Sequence, residues 1–141
     1  MQVVIDTSLK ARLAAIFEGR KVVFAYLFGS QAKGNVGPLS DIDIAVCFDE
    51  TIPPAEQFDL RLEVLGELTD LLQTDDVDLV VLNDAPPLLA HRILRDGRLL
   101  FSADERSRLR FETRAVLQYL DWKPYLDKYT RQTFGSGAAH D

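Results

Sequence analysis

The sequence is short of sulfur: 141 residues hold one cysteine, Cys47, and one methionine. A single cysteine closes no intramolecular disulfide and fits a reducing compartment, so Cys47 is expected as a small buried strand residue. Basic residues are also in deficit, with 16 Lys and Arg against 22 Asp and Glu and a net charge of -6. This excludes a protein that grips a nucleic-acid backbone by bulk electrostatics, which needs clustered cations. An acidic enzyme can still use a nucleotide where a metal ion carries the compensating charge. No apolar run approaches the roughly 18 residues of a membrane span, and "MQVVIDTSLK" has neither a basic n-region nor a long apolar h-region. No membrane association and a cytoplasmic location are expected.

What is present is core material. Hydrophobic residues make up 47% of the chain, enough for one globular domain over 1–130, with "FGSGAAHD" making 131–141 a flexible tail. Asp6, Thr7 or Ser8 can cap a helix to about Glu18 that shows Leu9, Leu13, Ile16 and Phe17 on one face. "KVVFAYLF" (21–28) reads as a strand buried on both faces, and "DIDIAVCF" (41–48) as a second. Between them "QAKG" suits a short helical turn and "NVGPLS" a loop. After Pro53 and Pro54, residues 56–73 form a helix with Phe58, Leu62, Leu65 and Leu72 on one stripe and Leu60, Val64, Leu68 and Leu71 beside it, a face broad enough to be largely buried. "DVDLVVL" (76–82) is a third strand. Asn83 or Asp84 is expected to cap a helix ending at Gly97, "RLLF" to be a short edge strand, and Ser102 to Glu105 to be a capping box for a last helix from 103 to about 120 or beyond, kinked or ended by Pro124. The class is α/β (α+β), a small mixed sheet flanked by helices.

Against this pattern the acids of the second strand are anomalous. Side chains alternate along a strand, so Asp41 and Asp43 share one face while Ile42, Ile44 and Val46 share the other. Strand interiors disfavour Asp, and two like charges side by side raise each other's pKa unless a cation is present. Mg²⁺ answers that need, because it takes one or two protein carboxylates together with substrate phosphates. Asp78 repeats the anomaly in the third strand, and if the strands are neighbours it joins the same face. Opposite such metals, the strand end "FGS" aims backbone N–H groups and a hydroxyl at an anion, and Gly29 lets a phosphate come close.

Gly29-Ser30, ten intervening residues and then Asp41-Ile42-Asp43 resemble the GS-x10-D-x-D signature of the nucleotidyltransferase superfamily that includes DNA polymerase beta. Asp78 in "VDLVVL" sits where that superfamily has its third carboxylate. The short chain, "LFGSQAKG" and "VDLVVLNDAPPLLAHRILRDGRLLF" resemble the minimal nucleotidyltransferase (MNT) antitoxins of HEPN/MNT toxin-antitoxin pairs. The likeness spans most of residues 8–120. It implies the polymerase beta-type fold, with ATP as substrate, its triphosphate on Gly29 and Ser30, and Lys33 and Ser40 as further nucleotide-binding residues. Lys33 stands where the family often has Arg, which keeps the charge but not the bidentate geometry. The resemblance also implies a pair of Mg²⁺ ions held by Asp41, Asp43 and Asp78. These acids would then transfer AMP to a tyrosine of a cognate HEPN RNase toxin in a hetero-oligomeric complex.

Two other readings stay open at this level. One is a nucleotidyltransferase for a small molecule of antibiotic type, although only about 60 residues follow Asp78 and such enzymes usually append a substrate domain. The other is a non-catalytic antitoxin that blocks its partner by binding. His91 is expected on a helix surface or interface, and His140 in the tail. Tyr119, Trp122, Tyr125 and Tyr129 suit core packing, a homodimer interface or a partner-binding patch, and Arg106, Arg108, Arg110 and Arg114 a solvated helix face or a contact with an acidic partner.

Overall fold

The computed structural model describes residues 4–33 and 41–134. In chain order they form α1 (Thr7–Gly19), β1 (Val22–Phe28), α2 (Gly29–Lys33), β2 (Ile42–Phe48), α3 (Pro54–Leu72) and β3 (Val77–Val81). A 3-10 turn (Leu82–Asp84), α4 (Pro87–Asp96), β4 (Arg98–Ser102) and α5 (Glu105–Phe134) complete the order. The sheet runs β3-β2-β1-β4. β1 pairs antiparallel with both β2 and β4, whereas β2 and β3 are parallel. Parallel neighbours need a crossover, and α3 supplies it. Asp6 caps α1 by accepting from the Leu9 N–H at 2.8 Å.

Strand alternation divides the core in two. Ala25, Leu27, Ile42, Ile44 and Val46 meet Leu13 and Phe17 of α1 and Leu60, Val64 and Leu68 of α3 on one face. On the other, Phe24, Tyr26, Ala45 and Cys47 meet Ile93 of α4, and Phe111 of α5 packs against them. The Phe24 and Phe111 ring centroids are 5.4 Å apart. Cys47 is buried as expected, and burial pushes its thiol pKa up to about 12.

Several expectations are corrected. The broad face of α3 is used except at one flank: Leu60, Val64 and Leu68 are buried and Leu65, Leu71 and Leu72 pack against the core, but Phe58 and Leu62 are 59% and 48% exposed. A single layer of sheet beneath a helix covers one stripe of about 100° and leaves the flank in water. Asn83 does not cap α4. Its amide accepts from the Phe48 N–H and donates to the Phe48 carbonyl, both at 2.9 Å, so it completes the end of β2 as a strand would. Pro86 stands at the start of α4 without a side-chain cap.

α5 starts at Glu105, later than the capping box implied, because Asp104 takes the N–H groups of Arg106 and Ser107 at 3.1 and 3.2 Å. Ser102 still hydrogen-bonds the Glu105 carboxylate. The helix continues through Pro124 to Phe134, so the expected tail from 131 is helical at its start and 135–141 lies outside the described residues. Arg108 is not a solvated cation: it is largely covered and pairs with Glu105 at 2.6 Å and Glu112 at 2.8 Å. His91 is at an interface within the chain, stacked on Tyr119 with centroids 3.6 Å apart. The expected loop 35–40 falls outside the described residues.

Candidate active site

Three strand ends meet at one edge of the sheet. Asp43, the second residue of β2, stands opposite Phe28, the last residue of β1, and opposite Asp78, the second residue of β3. Register neighbours on adjacent strands lie about 4.8 Å apart and point to the same face. Asp43 and Asp78 are therefore a carboxylate pair on the face that carries Ala45 and Cys47. Asp41 is exposed and directly precedes β2, two positions from Asp43. The parallel pairing of β2 with β3 is thus what brings the acid at 78 to the acids at 41 and 43.

Gly29 closes the cluster from the β1 side. It is the first residue of α2 and has φ of 71°. A Cβ built on it would lie 2.1 Å from Oδ2 of Asp43. No side chain fits there, and the left-handed backbone is itself costly for any residue but glycine. Ser30 and Lys33 are the second and last residues of α2, and Ser40 lies outside the described residues.

Electrostatics mark Asp43 out. Its pKa is raised, first by burial and then by the charges of Asp78 and Asp41. Nothing among the described residues donates a hydrogen bond or an ion pair to it. Such a group lacks positive charge, and a hard cation with oxygen ligands would supply it. The donors fit Mg²⁺. Among the described residues no group of three or more His, Cys, Asp or Glu side chains is placed to hold a metal ion.

Gly97 does more than the helix end its sequence context suggests. A Cβ there would lie 2.3 Å from the Ile93 carbonyl oxygen and 3.2 Å from that of Leu27. Its absence lets α4 end against β1 two residues before Gly29, which fixes the strand end that the turn leaves. The only signal in the sequence is a glycine before an apolar run. A cleft of about 350 Å³ lies at the far end of β1 and β2, between Phe48, Asp49, Asn83 and the first turns of α5, and contains none of the three acids.

The chain matches known proteins over the segment just described. The family model described as "Polymerase beta, Nucleotidyltransferase" matches residues 11–106. The chain is 32% identical over 108 residues to the protein adenylyltransferase MntA of Aphanizomenon flos-aquae, covering 69% of this chain and 68% of that one. It is 30% identical over 99 residues to the protein adenylyltransferase MntA of Shewanella oneidensis, covering 70% and 67%. Among solved structures, a toxin-antitoxin with AMP-PNP is similar at a TM-score of 0.66 and 26% identity, over 86% of this chain and 98% of that chain. Among the described residues no helix is long and apolar enough to cross a membrane. With that family model matched over most of the chain and these relatives beside it, the chain belongs to the polymerase beta nucleotidyltransferase family.

Proposed function

We propose that this chain is a Mg²⁺-dependent protein adenylyltransferase acting as an antitoxin, which moves AMP from ATP to a tyrosine of a cognate HEPN-type RNase toxin and so silences it. The observation that carries the reading is the Asp43–Asp78 register pair packed against a glycine that admits no side chain. The activity named for both MntA relatives supports the reaction, and the toxin-antitoxin structure with AMP-PNP supports a nucleotide triphosphate as donor.

Asp41 and Asp43 would hold one Mg²⁺ and Asp78 would help hold a second. When bound, the metal neutralises phosphate charge and lowers the pKa of the attacking hydroxyl. The chain's own residues do the positioning, which supplies most of the acceleration in phosphoryl and nucleotidyl transfer. Gly29 lets the Asp43 carboxylate lie against the turn that would take the phosphates. By the family resemblance, Ser30, Lys33 and Ser40 would add two hydroxyls and a charge around them. The acceptor tyrosine oxygen forms a bond to the α-phosphorus as the bond to the β-phosphate oxygen breaks. Pyrophosphate leaves, and Asp78 assists removal of the tyrosine proton. The reading goes with a cytoplasmic protein and needs no contact with nucleic acid.

The test is mass spectrometry of the toxin encoded beside this gene after incubation with this chain, ATP and Mg²⁺. AMP added to a toxin tyrosine by the unaltered chain, and not by the Asp41→Ala, Asp43→Ala variant, is the expected result. An unmodified toxin in a complex that forms and binds ATP overturns it in favour of neutralisation by cover alone.

A further inference from the structure

The inner and outer faces of α5 are built differently. Inward, Phe111 packs on the sheet, Ala115 is buried, and Tyr119 stacks on His91. Outward, Leu109, Val116, Leu117 and Leu120 are between 44% and 58% exposed. At about 100° per residue these four, with Thr113 between them, fall on one stripe. Arg106, Arg110 and Arg114 form a second stripe along its edge.

The charges of this helix are sorted as well. Glu105 and Glu112 both turn onto Arg108, and Glu112 also accepts from the Tyr26 hydroxyl. That leaves Arg106, Arg110 and Arg114 without an ion pair among the described residues, Arg110 donating only to the Ser107 hydroxyl at 3.3 Å. In a chain of net charge -6, three guanidiniums without an ion pair among the described residues stand along an apolar stripe, with the charge of Arg110 also felt by Asp104. Arg110 and Arg114 also line the cleft of about 350 Å³, together with Phe111 and with Asp49 and Glu50 of its opposite wall. Cleft, arginine row and apolar stripe are therefore continuous.

We infer that this outer face of α5 is the docking surface for the protein that accepts AMP, and that the docked element is an amphipathic helix or segment presenting acidic residues beside apolar ones. The inference rests on the proposed transferase activity for the identity of its occupant. Charge complementarity selects that occupant over a second copy of this chain, whose matching face would set arginine row against arginine row in a two-fold pair. Interfaces of this type take their hold from desolvated apolar anchors and their selectivity from the charged rim.

Isothermal titration of the full chain with the co-encoded toxin, at low and at physiological salt, tests it. The Arg106→Glu, Arg110→Glu, Arg114→Glu variant should bind at least tenfold more weakly, and Leu117→Asp likewise. The corresponding triple Lys variant should stay within about threefold, and binding by the unaltered chain should weaken as salt rises. Asp41→Ala, Asp43→Ala should bind normally while losing AMP transfer. Charge reversal that leaves affinity within twofold, or salt-independent binding, overturns the docking surface while normal AMP transfer keeps the proposed function. Binding through α5 without any AMP transfer overturns the function and keeps the surface. A toxin that does not bind at all, or α5 variants that only abolish self-association of the chain in sedimentation, overturns the inference.

Discussion

Tyr26 and Asp43 are diagonal neighbours on the same face of the sheet, on adjacent strands, and their polar atoms are treated in opposite ways. The Tyr26 hydroxyl is met by Glu112, Glu112 by Arg108, and Arg108 by Glu105, which in turn receives the Ser102 hydroxyl. Each polar group there has a partner of opposite sense inside the chain. Among the described residues Asp43 is met by Asp78, Asp41 and the bare backbone of Gly29, and burial and then those two charges raise its pKa. The first cluster is complete and ties α5 to β1. The second sets a half-buried carboxylate beside two others, and the proposed function would complete it with a cation.

The largest effects should come from breaking the incomplete cluster. Asp43→Asn should lower AMP transfer by at least about 10²–10³-fold, the scale of removing one preorganised electrostatic group. Its melting temperature in the absence of metal should be unchanged or higher, because a repelled charge is gone. Activity and thermal melts on one preparation read both. Gly29→Ala comes next: a non-glycine residue at φ 71° costs about 1–2 kcal/mol, and its Cβ would overlap Oδ2 of Asp43. Activity should fall towards the Asp43→Asn level, now with a lower melting temperature.

The complete cluster should respond in the converse way. Glu112→Ala strands the Tyr26 hydroxyl and removes one of two carboxylates from Arg108. A stability loss of about 1–3 kcal/mol is expected from denaturant unfolding, with AMP transfer per folded molecule near normal. A Glu112→Ala protein that is as stable as the parent but inactive would dissolve the division between the two clusters.

The incomplete cluster is also the one that shows in the amino-acid sequence. Two acids at alternate positions of an apolar run violate local preference, and such violations are where ligands are held. Strand alternation by itself puts Asp41 and Asp43 on one face. That Asp78 faces Asp43 residue for residue is not legible there, since register depends on how α3 crosses over. The complete cluster is hidden for the same reason. Arg108 and Glu112 look like an ordinary exposed i, i+4 pair, and only the docking of α5 on β1 brings Tyr26 to them. Asn83 looks like a helix cap because Asn shortly before Pro fits that role locally, whereas its partner, Phe48, is 35 residues away.

The two clusters should also be separable by pH, with opposite signs. Asp43 has a native pKa above its ordinary 3.8, so the native state holds that proton more tightly than the unfolded chain. Its contribution to stability is fully present below the ordinary value and is lost as pH rises through the raised native value. Glu105 is lowered from 4.5 to about 2, mainly by its hydrogen bonds with Arg108 and Ser102. Its contribution is present above 4.5 and is lost as pH falls towards 2, and because Glu105 is exposed the effect is small. Melting curves of the metal-free protein from about pH 3 to about pH 7 should therefore carry a decline in stability with rising pH that Asp43→Asn removes. Glu105→Gln should instead flatten the acid side. Mg²⁺ with ATP near neutral pH should raise the melting temperature of the parent well above any rise in Asp43→Asn, because the variant lacks the central of the three carboxylates. If Asp43→Asn left the pH profile unchanged and the ligand-induced rise intact, the acid cluster would be structural in the same sense as the Tyr26 network.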